Sequence, residues 1–294
     1  MLRFELATVP VPRWGAEANA NGRPILVAED NDINQKVLSQ QLALLGYTAH
    51  ITGNGQDALE RLRHHDYPLL LTDLHMPQMD GYQLAVAVRT AEAGGRRMAI
   101  VALTANVVKG EEQRCRALGM DDYLTKPVQL ADLRAMLRKW LPAASAGTQL
   151  PSPSADAAVR PPLPLDLSVL EALVGSDPEV IAGLVRDFRA SASDAATQMR
   201  AACEERAPLA AQAVAHKLKS AARSMGALAL AELCVKMEEA ASVRRLDVLG
   251  ELWPAFQSEM AVIDAFLGGR MAAEANAVGA NGWGVLRGRQ GVPL

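Results

Sequence analysis

The sequence predicts an α/β domain followed by an all-α domain. Between residues 24 and 142, short apolar runs alternate with stretches of helical periodicity, which is typical of a parallel sheet covered by helices. Residues 141–162 are rich in Pro, Ala and Ser without an apolar period and indicate a flexible linker. Residues 163–267 carry helix signals and no convincing strand, which favours an antiparallel helical bundle.

Five apolar runs in the first region predict five strands, each followed by a helix. The segment after the first run has one apolar face, since residues 33, 37, 38, 42 and 45 are apolar and recur at helical spacing. Aromatic residues make up only 4% of the chain, so the cores are expected to consist of Leu, Val, Ala and Ile. The predicted strands cover residues 25–28, 47–51, 69–72, 99–103 and 122–125.

Helices follow the linker. Asp177 precedes Pro178, a pair that predicts an N-cap with proline in the first helical position. Residues 268–294 are rich in Gly, Ala and Asn, and we expect a disordered tail there. Residues 1–23 show the partial alternation of a strand and are interpreted as a remnant of an upstream ATPase domain with a linker. The predicted helices cover residues 178–206, 208–225, 227–242 and 246–267.

Composition excludes several classes of partner. The net charge is −3, and no block of Lys and Arg is large enough to predict contact with nucleic acid or an anionic membrane. The longest nearly apolar run is far shorter than the roughly 18 residues that span a bilayer, and no signal peptide is evident. The three cysteines lie far apart without the spacing of a zinc site, which indicates reduced thiols in a cytoplasmic protein.

Polar residues follow the predicted strands, and in an open parallel sheet ligands bind just beyond the carboxyl ends of the strands. In the flavodoxin-like strand order 2-1-3-4-5 the first and third strands are neighbours, so three carboxylates should converge there. The residues that follow the first, third, fourth and fifth runs are Glu29 with Asp30, then Asp73, Thr104 and Lys126.

Three converging carboxylates need positive charge. Two like charges 4 Å apart repel by about 4 kcal/mol at the effective dielectric of a protein surface. Lys126 supplies one positive charge, and Mg²⁺ suits the remainder because it binds through few carboxylates, keeps waters and takes a phosphate oxygen. A carboxylate held beside Mg²⁺ and a lysine is equipped to attack phosphorus, so Asp73 is predicted to be the nucleophile. The alternative is that these acids are solvated loop residues or helix caps.

Residues 24–142 resemble the receiver domain of response regulators. The resemblance rests on AEDN at 28–31, LLLTDLHMPQMDG at 69–81, ALTAN at 102–106 and YLTKP at 123–127. It implies that Asp73 is the phospho-acceptor, that Thr104 and Lys126 hold the phosphoryl oxygens, and that Tyr123 is an aromatic switch following Thr104 inward. It also implies a cis bond between Lys126 and Pro127. For Mg²⁺ it implies three ligand groups, the carboxylates of Asp30 and Asp73 and the backbone carbonyl of His75, with Glu29 assisting through water.

One histidine in the second region has an unusual context. Residues 214, 218, 221, 222 and 225 form an apolar face, and His216 points away from it. Lys219, Ser220 and Arg223 are expected on the exposed face that carries His216. A neighbouring cation disfavours protonation of an imidazole and can steady an incoming phosphoryl group. The alternative is a solvated or core histidine without chemistry.

The segment HKLKS resembles the motif of histidine phosphotransfer (HPt) domains, which reads His, any residue, Leu, Lys, then usually Gly. Ser220 stands at the glycine position, where its small side chain is expected to weaken docking only modestly. The resemblance implies that His216 carries a phosphoryl group and that Lys219 assists.

Together these features predict a phosphorelay protein in which an upstream sensor histidine kinase loads Asp73, Asp73 exchanges the group with His216, and His216 loads a receiver domain of a downstream response regulator. The order of domains resembles the C-terminal part of a hybrid sensor histidine kinase, which would place the chain in the cytoplasm at the inner face of the membrane. The sequence shows no ATP-binding kinase core, so an enzymatic activity of its own stays open. The alternatives are a binding adaptor switched by phosphorylation and a phosphate sink, with His216 off the main route in both.

Overall fold

The computed structural model describes residues 23–92, 97–105, 110–141 and 164–282, with side chains as far as residue 269. The chain divides into two compact units, one containing the sheet and the other most of the helices that follow it. The expected strand within residues 1–23, most of the linker at 141–162 and the last part of the expected tail lie outside the described residues.

The first unit is a parallel sheet of five strands in the order β2-β1-β3-β4-β5, which confirms the flavodoxin-like α/β prediction. Its strands are β1 (Ile25–Ala28), β2 (Ala49–Thr52), β3 (Leu69–Asp73), β4 (Ala99–Thr104) and β5 (Asp122–Thr125). Its helices are α1 (Asp32–Leu44), α2 (Gly55–His64), α3 (Gly81–Ala91), α4 (Glu111–Ala117) and α5 (Leu130–Trp140).

Alternate side chains of the central strands pack into two cores, one on each face of the sheet. Ile25 and Val27 of β1 pack with residues of α1 and α5. Leu26 and Ala28 pack with residues of α2, α3 and α4 on the other face. Strands covered on both faces read as continuous apolar runs, which is why β1 and β3 were recognisable in the sequence.

The strand bounds differ from the prediction at four places, one of them being that β2 ends at Thr52 rather than at residue 51. β2 begins at Ala49 rather than at residue 47, because Gly46 turns the chain at φ 83° and the N–H of Tyr47 still donates to the Leu42 carbonyl at the end of α1. β3 and β4 each extend one residue further than predicted, so Asp73 and Thr104 are the last residues of their strands. The functional candidates therefore sit on the sheet itself, where ladder bonds hold their backbones.

The second unit confirms the predicted helical bundle. Its helices are α7 (Pro178–Glu204), α8 (Pro208–Ser224), α9 (Leu228–Ser242) and α10 (Leu246–Gly282), preceded by α6 (Leu167–Val174), of which the part up to Glu171 belongs to this unit. Asp177 caps α7 by accepting a hydrogen bond from the N–H of Glu179, and Pro178 follows as predicted. The expected disorder beyond residue 267 is wrong for residues 268–282, which continue α10, because the alanines of this stretch favour a helix.

A glycine turn ties α6 to the bundle. Gly226 joins α8 to α9 with φ 76°, and its carbonyl accepts a hydrogen bond from the N–H of Asp166 at 3.1 Å. A Cβ at residue 226 would lie 2.2 Å from the Asp166 carbonyl oxygen, so only glycine fits. Within the part of the chain that the structure describes, no helix is long and apolar enough to cross a membrane.

Candidate functional site

The carboxyl ends of β1 and β3 bring three acidic side chains together. One carboxylate oxygen from each of Glu29, Asp30 and Asp73 lies within 4.8 Å of the others. Glu29 and Asp73 are buried, whereas Asp30 is partly exposed. The convergence predicted from the strand order is therefore present, and the cluster opens to solvent at Asp30.

Lys126 bridges two of these acids from the end of β5. Its Nζ lies 2.5 Å from Asp73 Oδ2 and 2.5 Å from Glu29 Oε2. Burial lowers the pKa of the Lys126 ammonium, but the charges of Glu29 and Asp73 outweigh burial and hold that pKa above its usual value. Burial raises the pKa of the Glu29 carboxyl to about 7, against the attraction of Lys126. One lysine therefore offsets only part of the negative charge of this cluster.

Backbone contacts fix the Asp73 side chain and main chain. The N–H of His75 donates to Asp73 Oδ1 at 3.2 Å, and the N–H of Leu74 donates to the carbonyl of Leu103. A Cβ at Gly81, the first residue of α3, would lie 2.1 Å from the Asp73 carbonyl oxygen. The glycine of the MDG segment therefore lets α3 begin directly against the candidate phospho-acceptor.

Thr104 and Tyr123 occupy neighbouring strands beside this cluster. Thr104 is buried, pairs in register with Thr125, and its carbonyl accepts a hydrogen bond from the N–H of Lys126 at 2.7 Å. Tyr123 is partly buried against the core that contains α3 and α4. The peptide bond between Lys126 and Pro127 is cis, which confirms that expectation. The coupled movement of Thr104 and Tyr123 stays a prediction.

His216 lies on α8 in the second unit and contacts a residue that the sequence did not single out. Its Nδ1 is 2.7 Å from Oε1 of Glu238 on α9, and 23% of its side chain is exposed. Burial raises the pKa of the Glu238 carboxyl, but hydrogen bonds from His216 and Lys219 outweigh burial and lower it to about 2. The Glu238 carboxylate is therefore ionised at neutral pH and accepts a hydrogen bond from the imidazole.

The exposed position expected for Lys219 is wrong. Only 11% of its side chain is exposed, and its Nζ lies 2.5 Å from Oε2 of Glu238. The physical reason is that α9 packs along α8, so the Glu238 carboxylate draws the lysine inward. Ser220 and Arg223 are partly exposed, as the helical spacing predicts.

The role of Glu238 was not predicted, because nothing in the segment KMEEAAS at 236–242 distinguishes it from its neighbour Glu239. The contact joins residues 22 positions apart on two helices. Finding it requires the packing register of α8 against α9, and periodicity on one helix does not give that register.

Comparisons with known proteins agree with both units. Residues 25–138 match the model of the response regulator receiver domain, and residues 183–266 match the model of the Hpt domain. The chain is 49% identical to the hybrid signal transduction protein dokA of Dictyostelium discoideum over 40% of this chain and 7% of that protein. It is 32% identical to the virulence sensor protein BvgS of Bordetella pertussis over 74% of this chain and 18% of that protein. The chain thus spans less than a fifth of the length of these relatives.

Among solved structures, a receiver domain of a sensor histidine kinase of Pseudomonas aeruginosa, with a magnesium ion coordinated in its active site cleft, is 38% identical. It covers 41% of this chain and 98% of its own, with a TM-score of 0.38. The two family matches coincide with the parallel sheet and with the helical bundle. The chain therefore combines a response regulator receiver domain at residues 25–138 with an Hpt domain at residues 183–266.

Proposed function

We propose that the chain is a phosphorelay protein in which Asp73 accepts a phosphoryl group and exchanges it with His216. The observation that carries this proposal is that each domain holds a nucleophile with its own electrostatic partner. Asp73 has Lys126 at 2.5 Å, and His216 has Glu238 at 2.7 Å. The receiver and Hpt matches support the same class of function.

The first step loads Asp73. A carboxylate oxygen of Asp73 forms a bond with phosphorus while the bond from phosphorus to the donor's imidazole nitrogen breaks. The electron pair of that bond stays on the released nitrogen as a lone pair, and the donor leaves as neutral imidazole. Lys126, already at the carboxylate, pairs with the phosphoryl oxygens, and Thr104 supplies a hydroxyl at the end of the neighbouring strand.

The residues of this cluster fit Mg²⁺. Their donor set is three carboxylates whose oxygens lie within 4.8 Å, which is the hard oxygen ligation that this cation prefers. Asp30, Asp73 and the carbonyl of His75 would hold the ion, with Glu29 acting through water. When bound, the ion neutralises charge that Lys126 alone leaves uncompensated.

The second step moves the group to His216. Because Glu238 accepts a hydrogen bond from Nδ1, the imidazole proton resides there and the lone pair is on Nε2. Nε2 then forms a bond with phosphorus as the acyl phosphate bond to Asp73 breaks and returns the carboxylate. Lys219 pairs with the second oxygen of Glu238 and so holds the carboxylate in place for the histidine.

The partners follow from this chemistry. We propose an upstream sensor histidine kinase as the donor to Asp73 and the receiver domain of a downstream response regulator as the acceptor from His216. An adaptor or a phosphate sink would have no need of a carboxylate held against His216 Nδ1, so the network of Glu238 favours the relay.

Variants at the two carriers test the proposal. The chain is incubated with acetyl phosphate and Mg²⁺, and phosphate on each residue is located by mass spectrometry, with base treatment to remove acyl phosphate. We expect base-stable phosphate at His216 in the wild type and none in Asp73→Asn, while His216→Gln still loads Asp73. A loaded Asp73 with an unlabelled His216 in the wild type contradicts relay within this protein.

A further inference from the structure

The side chain of Asn34 contacts the buried carboxylate of Glu29. Its Nδ2 donates a hydrogen bond to Glu29 Oε1 at 3.1 Å, and both side chains are buried. The backbone N–H of Asn31 also approaches that oxygen, at 3.4 Å. The contact lies on the side of Glu29 away from Lys126, and neither sequence pattern nor the relay chemistry above accounts for it.

The two oxygens of Glu29 have different partners. Oε1 faces Asn34, while Oε2 lies 2.5 Å from the ammonium of Lys126. An ion pair at Oε2 and a hydrogen bond at Oε1 together hold the buried carboxylate in one rotation, because turning it would break one of two short contacts in a medium of low dielectric. Without the amide of Asn34, Oε1 would keep only the longer contact with the Asn31 N–H at 3.4 Å, and the carboxylate would be held less firmly in its orientation beside Asp30 and Asp73.

The start of α1 places Asn34 for this contact. Asn31 caps the helix, and its Oδ1 accepts hydrogen bonds from the N–H groups of Ile33 and Asn34 at 3.0 and 3.2 Å. The backbone of Asn34 is thereby held one turn into the helix, next to the end of β1. The segment EDNDIN therefore carries both carboxylates of the first strand end and the amide that fixes one of them.

We propose that Asn34 is a positioning residue for the divalent cation: by donating to Glu29 Oε1 it holds that carboxylate in the orientation that serves the cation cluster. This inference rests on the proposed Mg²⁺ site. Asn34 does not itself bind the ion. Removal of partners that orient direct ligands commonly lowers metal affinity by about 10- to 100-fold, and we expect the lower end of that range here because Glu29 acts through water.

Gln35 offers a matched control. Its Nε2 donates to the backbone carbonyl of Glu29 at 2.6 Å, so it anchors the same residue without touching its carboxylate. If Asn34 acts only by anchoring the start of α1, then loss of either side chain should have the same effect. If Asn34 acts through the Glu29 carboxylate, then only loss of the Asn34 side chain should weaken binding of the cation.

The test is isothermal titration calorimetry of Mg²⁺ with the full chain, for wild type, Asn34→Leu, Asn34→Ala and Gln35→Ala. Leu has the branched shape of Asn without a donor, and Ala favours the helix, so one variant remains informative if the other fails to fold. We expect both Asn34 variants to bind Mg²⁺ on the order of tenfold more weakly, and Gln35→Ala to bind within about twofold of wild type. Thermal unfolding of each variant checks the fold.

A second measurement separates positioning from general damage. The Mg²⁺ concentration that half-saturates phosphorylation of Asp73 should rise by the same factor in the Asn34 variants, while the rate at saturating Mg²⁺ returns to about the wild-type value. Wild-type affinity in a folded Asn34 variant, or equal weakening in Gln35→Ala, overturns the inference. A wild-type chain that does not bind Mg²⁺ overturns the cation site of the proposed function, and this inference with it.

Discussion

Replacing Glu238 with glutamine tests how the structure prepares His216. The carboxylate accepts hydrogen bonds from His216 Nδ1 at 2.7 Å and from Lys219 Nζ at 2.5 Å. Hydrogen bonds to charged groups contribute about 1.5–3 kcal/mol, and the lower end applies here because the side chain is partly exposed. Glutamine has nearly the same shape and can still accept one hydrogen bond, but it lacks the charge.

A loss of about 1.4 kcal/mol corresponds to a tenfold slower step, so Glu238→Gln should slow transfer from Asp73 to His216 by about tenfold. The rate is measured by rapid quenching after Asp73 is loaded, as base-stable phosphate that appears on His216. Loading of Asp73 itself should be unchanged, because Glu238 lies in the other domain.

Glu239→Gln is the matched control. Glu239 follows Glu238 on α9, is exposed, and loses the same charge when it becomes glutamine. The reasoning fails if Glu238→Gln transfers at the wild-type rate. It also fails if Glu239→Gln slows transfer equally, because net charge rather than contact with His216 would then explain the effect.

Three further changes follow from the structure. Folding lowers the pKa of Glu238 from 4.5 to about 2, so between pH 4.5 and pH 2 this residue binds more protons in the unfolded chain than in the folded one. The stability that Glu238 contributes is therefore present above pH 4.5 and is lost as the pH falls towards 2. Acid unfolding of the wild type should therefore be steeper in this window than that of Glu238→Gln, and coincident profiles would contradict the shift. Gly226→Ala should lower the free energy of unfolding, measured in urea, by about 2 kcal/mol or more, because φ is positive at Gly226 and a Cβ there would lie 2.2 Å from the Asp166 carbonyl oxygen. Gly250 lies in a helix with open space around it, so Gly250→Ala should not destabilise the protein. Equal free energies of unfolding for the two variants would refute the steric reason. Lys126→Met should slow phosphorylation of Asp73 by acetyl phosphate on the order of 100-fold in initial rates, and a near-normal rate would remove Lys126 from the phosphoryl site.

The acidic cluster was predictable because its residues lie at the ends of strands that are recognisable in the sequence. Each of its residues directly follows or ends a short apolar run, and parallel strands place their carboxyl ends at one edge. The order of neighbouring strands then decides which ends meet. Because β1 and β3 are buried on both faces, their runs were unambiguous and their bounds nearly correct.

The histidine site was only half predictable. Helical periodicity correctly separated His216 from the apolar face of α8, but it placed Lys219 in solvent and gave no role to Glu238. Both errors have one cause: Lys219 on α8 forms an ion pair with Glu238 on α9, and the sequence of one helix does not show a contact with another. In the same way, Asn34 was not predicted from the sequence, because only the fold brings its amide to Glu29.

The most direct test of the relay is a phosphorus NMR time course of the wild-type chain with acetyl phosphate and Mg²⁺. An acyl phosphate signal from Asp73 should appear first, and a phosphoramidate signal from His216 should grow as the first declines. In Asp73→Asn neither signal should appear. The account is contradicted if the phosphoramidate forms at the same rate without Asp73, or if the acyl phosphate decays to inorganic phosphate without reaching His216.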